Sequence, residues 1–269
     1  MITELQSLLP RVQAIARAAG GEINRIYATA FGVETKADNS PLTAADRAAH
    51  EVIAAALAQL TPGVPLWSEE SGTIPWETRR HWTSFWLVDP LDGTREFIKR
   101  NGEFTVNIAL VDDHRAVLGV VHAPVSGRDY CGYAGGPALR TDPGDAPREI
   151  RVRRPASPPV RVAGSRSHRG ASLDSFLGQL GAHEFVSMGS SLKFCLVAEG
   201  TADVYPRLGP TSEWDVGAGL ALVMAAGGKV TDADGAPLRF GTGRTGFLVP
   251  GFIAWGDPAA APGAVDAQN

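Results

Sequence analysis

The feature that most constrains this chain is a short acidic motif placed directly after an apolar segment. Phe85-Trp86-Leu87-Val88 reads as a buried strand, and Asp89-Pro90-Leu91-Asp92-Gly93-Thr94 follows it at once. The strand predicts a sheet with a buried centre, and Pro90 fixes φ and removes a donor, so a turn is expected here. A contribution to the stability of the fold does not readily explain why two acids flank Pro-Leu at the end of a strand. The motif therefore predicts a functional site where the chain leaves the sheet.

The chemistry of this motif suits a metal ion and a phosphate group. The turn can bring the carboxylates of Asp89 and Asp92 together, with the Leu91 carbonyl between them. Carboxylates and carbonyls are the hard oxygen ligands that Mg²⁺ prefers. Gly93 lets the backbone approach a ligand closely, and the N–H groups near Gly93 and Thr94 can hold phosphate oxygens if a helical turn begins there.

Other carboxylates stand beside predicted strand ends and helix starts, namely Asp46, Glu69-Glu70 and Asp215. Each has an ordinary structural explanation when taken alone. Asp46 follows Thr43 by three residues and Asp215 follows Ser212 by three, which is the spacing of a capping box. Glu69-Glu70 is typical of a solvated turn. The residues themselves leave capping and metal binding open for these acids.

Hydrophobic periodicity predicts alternating helices and strands in two halves, which indicates an α/β or α+β layered protein. Helices are predicted over 2–19 (ending at Gly20-Gly21), 44–60, 173–180, 191–199 and 214–227. Strands are predicted at 85–88, 105–111, 117–122, 160–163, 229–231 and 246–249. The proline-rich stretch 141–159 predicts a connection between two halves. The first, 1–150, carries most candidate metal ligands; the second, 151–269, carries Asp215 and the candidate substrate-recognition residues, and its tail from Asp257 is expected to be loose.

Charge and cysteine content limit the class of partner. The 269 residues carry a net charge of −4, with scattered basic residues and two cysteines. Scattered cations argue against a nucleic-acid polymer, whereas a small anionic substrate needs only one cluster of cations or a metal. Cysteines in unrelated contexts predict reduced thiols rather than a disulfide. Without a signal-peptide pattern or an apolar run long enough for a bilayer, the chain is expected in the cytoplasm, either free or peripheral at the inner membrane face.

In their order along the chain, the acids resemble the signature of the inositol monophosphatase superfamily. That signature is carried by Asp46, Glu69-Glu70, the Asp89–Thr94 motif and Trp214-Asp215. The superfamily consists of Mg²⁺-dependent, lithium-sensitive phosphatases, so the resemblance implies a layered αβαβα sandwich of the sugar-phosphatase type. Segments 86–110, 165–168, 189–195 and 205–207 resemble its 3′(2′),5′-bisphosphate nucleotidase branch. One departure is Ser68, which stands before the glutamates where much of the superfamily has Gly.

The resemblance implies a role for each site residue. Two or three Mg²⁺ ions would be held by Glu69, Asp89, the Leu91 carbonyl, Asp92 and Asp215. Asp46 and Thr94 would orient and deprotonate an attacking water, with Glu70 supporting the ligands from behind. Substrate contacts would come from Gly93, Thr94, His168, Ser190, Lys193, Arg207 and Asp215.

The implied reaction is hydrolysis of adenosine 3′,5′-bisphosphate to AMP and phosphate, in sulfate assimilation, by a monomer or homodimer. Lys193 and Arg207 would supply the cations that the second phosphate needs. If they have no functional role, Lys193 is an exposed lysine of a helix and Arg207 is an arginine that serves packing. His168 would then be an ordinary histidine of a loop. The alternative activity is an inositol monophosphatase or another sugar-phosphate phosphatase with the same metal site. A non-catalytic metal or nucleotide sensor is a further alternative.

Overall fold

The computed structural model describes residues 4–35, 41–165, 171–243 and 246–261. The helices in this part of the chain are α1 (Leu5–Tyr27), α2 (Ala44–Leu60), α3 (Trp76–Arg79), α4 (Thr94–Ile98), α5 (Ala171–Leu180), α6 (Leu192–Ala198) and α7 (Glu213–Ala225), and a 3₁₀ helix spans Pro258–Ala260. The predicted helix over 44–60 matches α2 end to end. None of the described helices is long and apolar enough to cross a membrane.

A seven-stranded sheet forms the centre of the molecule. Its strands, in spatial order, are β3 (Leu66–Ser68), β4 (Ser84–Asp92), β5 (Thr105–Asp112), β6 (Arg115–Ala123), β7 (Arg128–Tyr133), β8 (Ala138–Thr141) and β9 (Arg148–Ile150). Neighbouring strands are antiparallel except for the parallel pair β3 and β4. Because β3 and β4 run parallel, the residues after Ser68 lie beside the C-terminal part of β4, which continues from Val88 to Asp92.

A second sheet has five strands in the order β11, β10, β12, β16 and β14. Their bounds are β10 (Val160–Gly164), β11 (His183–Ser187), β12 (Val204–Arg207), β14 (Lys229–Asp232) and β16 (Phe252–Trp255). Two small pairs complete the described strands: β1 (Val33–Thr35) with β2 (Pro41–Thr43), and β13 (Thr211–Ser212) with β15 (Leu248–Val249).

The elements stack in five layers, because each sheet is apolar on both faces. Along β5, Ile108 and Leu110 pack with α1 and α2, whereas Ala109 and Val111 pack with α6 and α7. This alternation follows from the two-residue period of a strand. The second sheet lies beyond α6 and α7, and Phe176 of α5 covers its outer face. The order is helix, sheet, helix, sheet, helix, which confirms the predicted αβαβα sandwich.

Three predicted boundaries are wrong. Helix α1 does not stop at Gly20-Gly21 but continues through both glycines to Tyr27. Strand β4 does not end at Val88 but continues with an irregular register to Asp92. The tail predicted to be loose from Asp257 is ordered as far as Ala261, which is buried. Residues 262–269 lie outside the described part of the chain.

Candidate functional site

The acidic motif forms an irregular end of β4 rather than a turn after it. Asp89 pairs with Asn107 and Asp92 with Thr105, and the register shifts between these pairs, so Pro90 and Leu91 are displaced from the ladder. The Leu91 N–H donates to Asp89 Oδ1 at 3.0 Å. A displaced pair of residues re-aims the side chains around it. The strand thus directs both carboxylates to the same side.

Gly93 ends the irregular segment in a left-handed conformation, with φ of 94°. A Cβ at this position would lie 3.2 Å from the Glu103 carbonyl oxygen and 3.3 Å from Ser190 Cβ, so both the dihedral angle and the space require glycine. Helix α4 begins at the next residue, Thr94, which supplies the helical turn that phosphate binding by the N–H groups near Gly93 and Thr94 requires.

Three carboxylates meet at this edge of the sheet. Asp89, Asp92 and Asp215 each offer an oxygen, and these atoms lie within 4.8 Å of one another. Asp215 is the third residue of α7, where the helix dipole favours an anion, and its Oδ2 accepts a hydrogen bond from Thr211 Oγ1 at 2.7 Å. The predicted ligands from the two halves of the sequence therefore converge.

These carboxylates are in an unfavourable electrostatic environment. Burial, followed by the charges of Glu69 and Asp92, raises the pKa of Asp89 well above its ordinary value. Burial, followed by the charge of Asp92, raises the pKa of Asp215 to about 7. A buried cluster of like charges is stabilised by a cation that binds among them, and hard oxygen donors select a hard divalent ion. The donor set fits the Mg²⁺ that the sequence predicts.

Asp92 is held in place by three donors on its Oδ2 atom. The Ser190 hydroxyl and the Ser191 N–H each donate at 2.6 Å, and Asn107 Nδ2 donates at 3.3 Å. Ser190 has a positive φ of 54°, a conformation that its side-chain contact to Asp92 helps to maintain. Ser190, predicted as a substrate contact, therefore lies directly against a candidate metal ligand.

Asp46 is both a helix cap and a site residue. Its Oδ2 accepts hydrogen bonds from the backbone N–H and the hydroxyl of Thr43 at 2.8 and 2.7 Å, which completes the capping box of α2. Its other oxygen lies 3.4 Å from Thr94 Oγ1, and that hydroxyl is also 3.4 Å from the Leu91 carbonyl oxygen. The predicted pair, Asp46 and Thr94, is thus brought together beside the acidic motif.

The two glutamates follow β3 and lie next to the end of β4. The Glu69 N–H donates to the Val88 carbonyl at 3.1 Å, and the Glu69 charge is a cause of the raised pKa of Asp89. The Glu70 charge instead acts on His50 and Arg47 of α2. Glu69 therefore lies beside the acidic cluster, whereas Glu70 lies on the side that faces α2.

A cleft extends from the acids to the second sheet. A cavity of about 770 Å³ is lined by Glu69, Asp89 and Asp215. A cavity of about 170 Å³ shares Asp92, Gly93 and Asp215 with it, and continues into a third of about 380 Å³ through Lys193, Tyr205 and Arg207. The outer cavity is also lined by Leu173, Pro206, Leu208 and Pro210. The cleft thus has an acidic end and a cationic, partly apolar end.

Two cations line the middle of the cleft. Lys193 is only 6% exposed, and its Nζ donates to the carbonyls of Ser190 at 2.5 Å and Met188 at 3.4 Å. Burial lowers the pKa of this lysine. The negative charge of Asp92 opposes that shift, and the positive charge of Arg207 adds to it. The buried Nε of Arg207 has no hydrogen-bond partner, and neither cation forms an ion pair within the described residues. Lys193 is therefore not the exposed helix lysine of the structural alternative.

Sequence reasoning missed the residues that hold the ligands. Thr211 donates to Asp215 and Asn107 donates to Asp92, while Thr105 contacts Asn107 and Ser190, two of the partners of Asp92. In the sequence, each of the three looks like an ordinary polar residue of a strand. The pairing of β4 with β5 brings Asn107 to Asp92, whereas Thr211 reaches Asp215 from four residues earlier in the chain. His168, predicted near the substrate, lies outside the described residues.

Comparisons with known proteins agree with this geometry. The sequence profile of the Inositol monophosphatase family matches residues 4–262. The chain is 54% identical over 247 residues to the 3′(2′),5′-bisphosphate nucleotidase CysQ of Escherichia coli (strain K12), which covers 91% of this chain and 98% of that relative. It is 35% identical over 258 residues to the protein of the same name in Haemophilus influenzae, which covers 96% of each chain.

Solved structures give the same result. The CysQ structure from Bacteroides thetaiotaomicron, described as a bacterial member of the inositol monophosphatase family, superposes with a TM-score of 0.81 at 39% identity, and covers 95% of this chain and 98% of that one. An inositol monophosphatase from Anabaena (Nostoc) sp. PCC 7120 has a TM-score of 0.75 at 27% identity, with 96% and 93% covered. The five-layer fold is shared along almost the whole length.

Proposed function

The chain belongs to the inositol monophosphatase family, a family of metal-dependent phosphatases, and we propose that it is a 3′(2′),5′-bisphosphate nucleotidase. The proposed substrate is adenosine 3′,5′-bisphosphate, and the products are AMP and phosphate. The relatives from Escherichia coli and Haemophilus influenzae both carry this activity in their names.

The pair of cations at Lys193 and Arg207 is the observation that carries the choice of substrate. A monophosphate needs only the acidic end of the cleft, where the metal ions neutralise its charge. Two like-charged side chains without an ion pair, one of them buried, are stabilised by an anion between them. The second phosphate of a nucleotide bisphosphate supplies that anion, and the partly apolar outer cavity of about 380 Å³ can accept a base or sugar.

At the acidic end, the chain's own residues hold the reacting groups. Glu69, Asp89, the Leu91 carbonyl, Asp92 and Asp215 would hold two or three Mg²⁺ ions. Bound Mg²⁺ lowers the pKa of a coordinated water and screens the charge of the phosphate. Thr94 Oγ1 would take a proton from the attacking water while its own hydroxyl proton passes to the Asp46 carboxylate, so the pair would orient and deprotonate the nucleophile.

A comparison of substrates tests the proposal. Purified protein with Mg²⁺ should release phosphate from adenosine 3′,5′-bisphosphate with a kcat/KM at least about tenfold higher than from inositol 1-phosphate, and Li⁺ should inhibit the reaction. A preference for inositol 1-phosphate would overturn the choice of substrate but leave a phosphatase. Tight nucleotide binding without phosphate release would instead identify a sensor.

The physiological setting is proposed from the substrate. Adenosine 3′,5′-bisphosphate is a by-product of sulfate assimilation, so an enzyme that removes it belongs to that process. A cytoplasmic location, free or peripheral at the inner membrane face, stays a prediction from the sequence. So does the monomeric or homodimeric state, which light scattering of the purified protein would determine.

A further inference from the structure

A hydrogen-bonded pair, His50 and Ser68, lies directly behind the turn that carries the two glutamates. His50 Nδ1 of α2 is 3.0 Å from the hydroxyl of Ser68, the last residue of β3, and this serine is 1% exposed. The same hydroxyl accepts the Glu70 N–H at 3.3 Å, and the Ser68 N–H donates to Ser71 Oγ at 3.1 Å. The start of the turn is therefore fixed by side chains in addition to its backbone hydrogen bonds, among them the one from the Glu69 N–H to the Val88 carbonyl.

The donors and acceptors of this pair are complementary. The Ser68 hydroxyl has one proton, and it already accepts a hydrogen bond from Glu70. Its own proton can therefore go to His50 Nδ1, which is an acceptor when the imidazole carries its proton on Nε2. Each member then has a defined role, so removing either one should release the turn.

Helix α2 connects this pair with the residues that hold the water. Asp46 and His50 are four residues apart and lie on one face of α2. Asp46 reaches Thr94, while His50 reaches Ser68. One helix thus sets the position of the water-holding pair relative to the glutamate turn. A glycine at position 68 would remove this connection and loosen the backbone.

We propose that His50 is a positioning residue for the metal centre, acting through Ser68 to hold the Glu69-Glu70 turn. The inference rests on the proposed function, since it assumes that Glu69 binds a metal ion. Loss of a group that orients a metal ligand costs about 10- to 100-fold in metal affinity, and this contact acts through the backbone. The Mg²⁺ dissociation constant should therefore rise about tenfold in His50→Ala and in Ser68→Ala.

Calorimetric titration of Mg²⁺ into the metal-free full-length chain measures this effect without turnover. Because His50 acts through Ser68, the double variant should bind Mg²⁺ about as weakly as either single variant, rather than about 100-fold more weakly. KM for the nucleotide at saturating Mg²⁺ should stay the same, since the cations Lys193 and Arg207 lie elsewhere in the cleft.

Two isosteric variants separate positioning from general stability. Asparagine places a polar atom near the position of His50 Nδ1, whereas glutamine places one near Nε2. Compared with His50→Ala, His50→Asn should therefore regain most of the Mg²⁺ affinity, and His50→Gln should not. The control is His114→Ala, which removes a comparable hydrogen bond, to the Phe240 carbonyl at 2.9 Å, away from the cleft.

Each outcome has a distinct meaning. Wild-type Mg²⁺ affinity in His50→Ala and Ser68→Ala, with or without a lower melting temperature, would overturn the positioning role while leaving the proposed function intact. Additive losses in the double variant would also overturn it. Should His50→Ala fail to fold, the His50→Asn and His50→Gln pair still decides. A wild-type chain that neither binds Mg²⁺ nor hydrolyses the bisphosphate would instead remove the proposed function.

Discussion

At the scale of single residues, the acidic cluster costs free energy of folding when no cation lies among its carboxylates. Asp89, Asp92 and Asp215 present oxygens within 4.8 Å of one another, and burial raises the pKa of both Asp89 and Asp215. Keeping such groups ionised in a buried space costs free energy of folding. The same repulsion makes binding of a divalent cation favourable, so stability and metal affinity are coupled in these three side chains.

Replacement of one acid by its amide separates the two effects. Asp89→Asn or Asp92→Asn should lower kcat by about 100-fold or more, because a neutral amide is a poor Mg²⁺ ligand. In Asp89→Asn, the melting temperature without Mg²⁺ should rise, because a repelling charge is removed, and the further rise on adding Mg²⁺ should shrink. Thermal melts with and without Mg²⁺ check this, with the exposed Asp145→Asn as control. Near-wild-type turnover in either variant would mean that the metal site is misassigned.

A second prediction at this scale concerns Lys193. Lys193→Ala should raise KM for adenosine 3′,5′-bisphosphate by about tenfold or more, since a charged hydrogen bond to the second phosphate is lost. The change in KM should be smaller for adenosine 3′-monophosphate, which lacks that phosphate. Steady-state kinetics on both substrates measure the difference, with Lys229→Ala of β14 as the matched control. Equal changes for both substrates would remove Lys193 from substrate selection.

At the scale of elements, the sequence predicts a helix or strand correctly when its start signal, its hydrophobic period and its end signal all indicate the same element. Helix α2 has a capping box at Thr43, a regular apolar face and Pro62-Gly63 after it, so its bounds were predicted correctly. Strands β7, β8 and β9 were not predicted, although they complete the large sheet. Their short, partly polar sequences become strands only by pairing with the neighbouring strand, which no local pattern shows.

Helix α1 shows why a helix can pass through two glycines. Gly20 is buried against β6, and a Cβ there would lie 2.4 Å from His122 Nε2. That histidine is itself fixed by a 2.7 Å hydrogen bond from Nδ1 to Asp129. A glycine required for close packing looks in the sequence like a helix terminator. Local propensity favours a stop here, whereas burial of the rest of the helix favours continuation.

Replacement of Gly20 and of Gly21 by alanine should change the free energy of unfolding in opposite directions. Gly20→Ala should lower the free energy of unfolding by about 1–3 kcal/mol, because the methyl group overlaps the fixed His122 ring. Gly21→Ala should raise it by about 0.5–1 kcal/mol, since this exposed Cβ meets nothing within 4 Å and alanine is the better helix former. Urea denaturation followed by circular dichroism measures both. Equal effects of the two substitutions would contradict the packing argument.

At the scale of the whole molecule, the two halves of the sequence share one core. The apolar cluster between the two sheets contains Phe85 and Val121 from the first half and Phe194 and Trp214 from the second. The acidic site is divided in the same way, since Asp89 and Asp92 come from the first half and Asp215 from the second. The sequence predicted the boundary near 150 from its prolines, but a shared core joins elements on both sides of it. A fragment of residues 1–150 would expose the members of this cluster that the first half contributes.

The two cysteines can report whether these clusters unfold together. Cys131 lies in the cluster under α1 and α2, and Cys195 lies in the shared cluster. Both thiols are free and buried, as the sequence predicted, and burial raises the pKa of Cys131 to about 12 and that of Cys195 well above its ordinary value. Neither thiol is accessible or ionised at neutral pH in the native chain, so neither should react with Ellman's reagent.

Reaction should therefore require global unfolding. Because the shared cluster joins both halves, we expect Cys131 and Cys195 to become reactive in the same urea transition, at the midpoint given by circular dichroism. Pulse labelling followed by mass spectrometry of the two cysteine peptides measures each thiol separately. If Cys195 reacted at a clearly lower urea concentration than Cys131, the second half would unfold first and the boundary near 150 would separate two cooperative units. A single midpoint would mean that the residues lining the cleft are ordered only when both halves are folded.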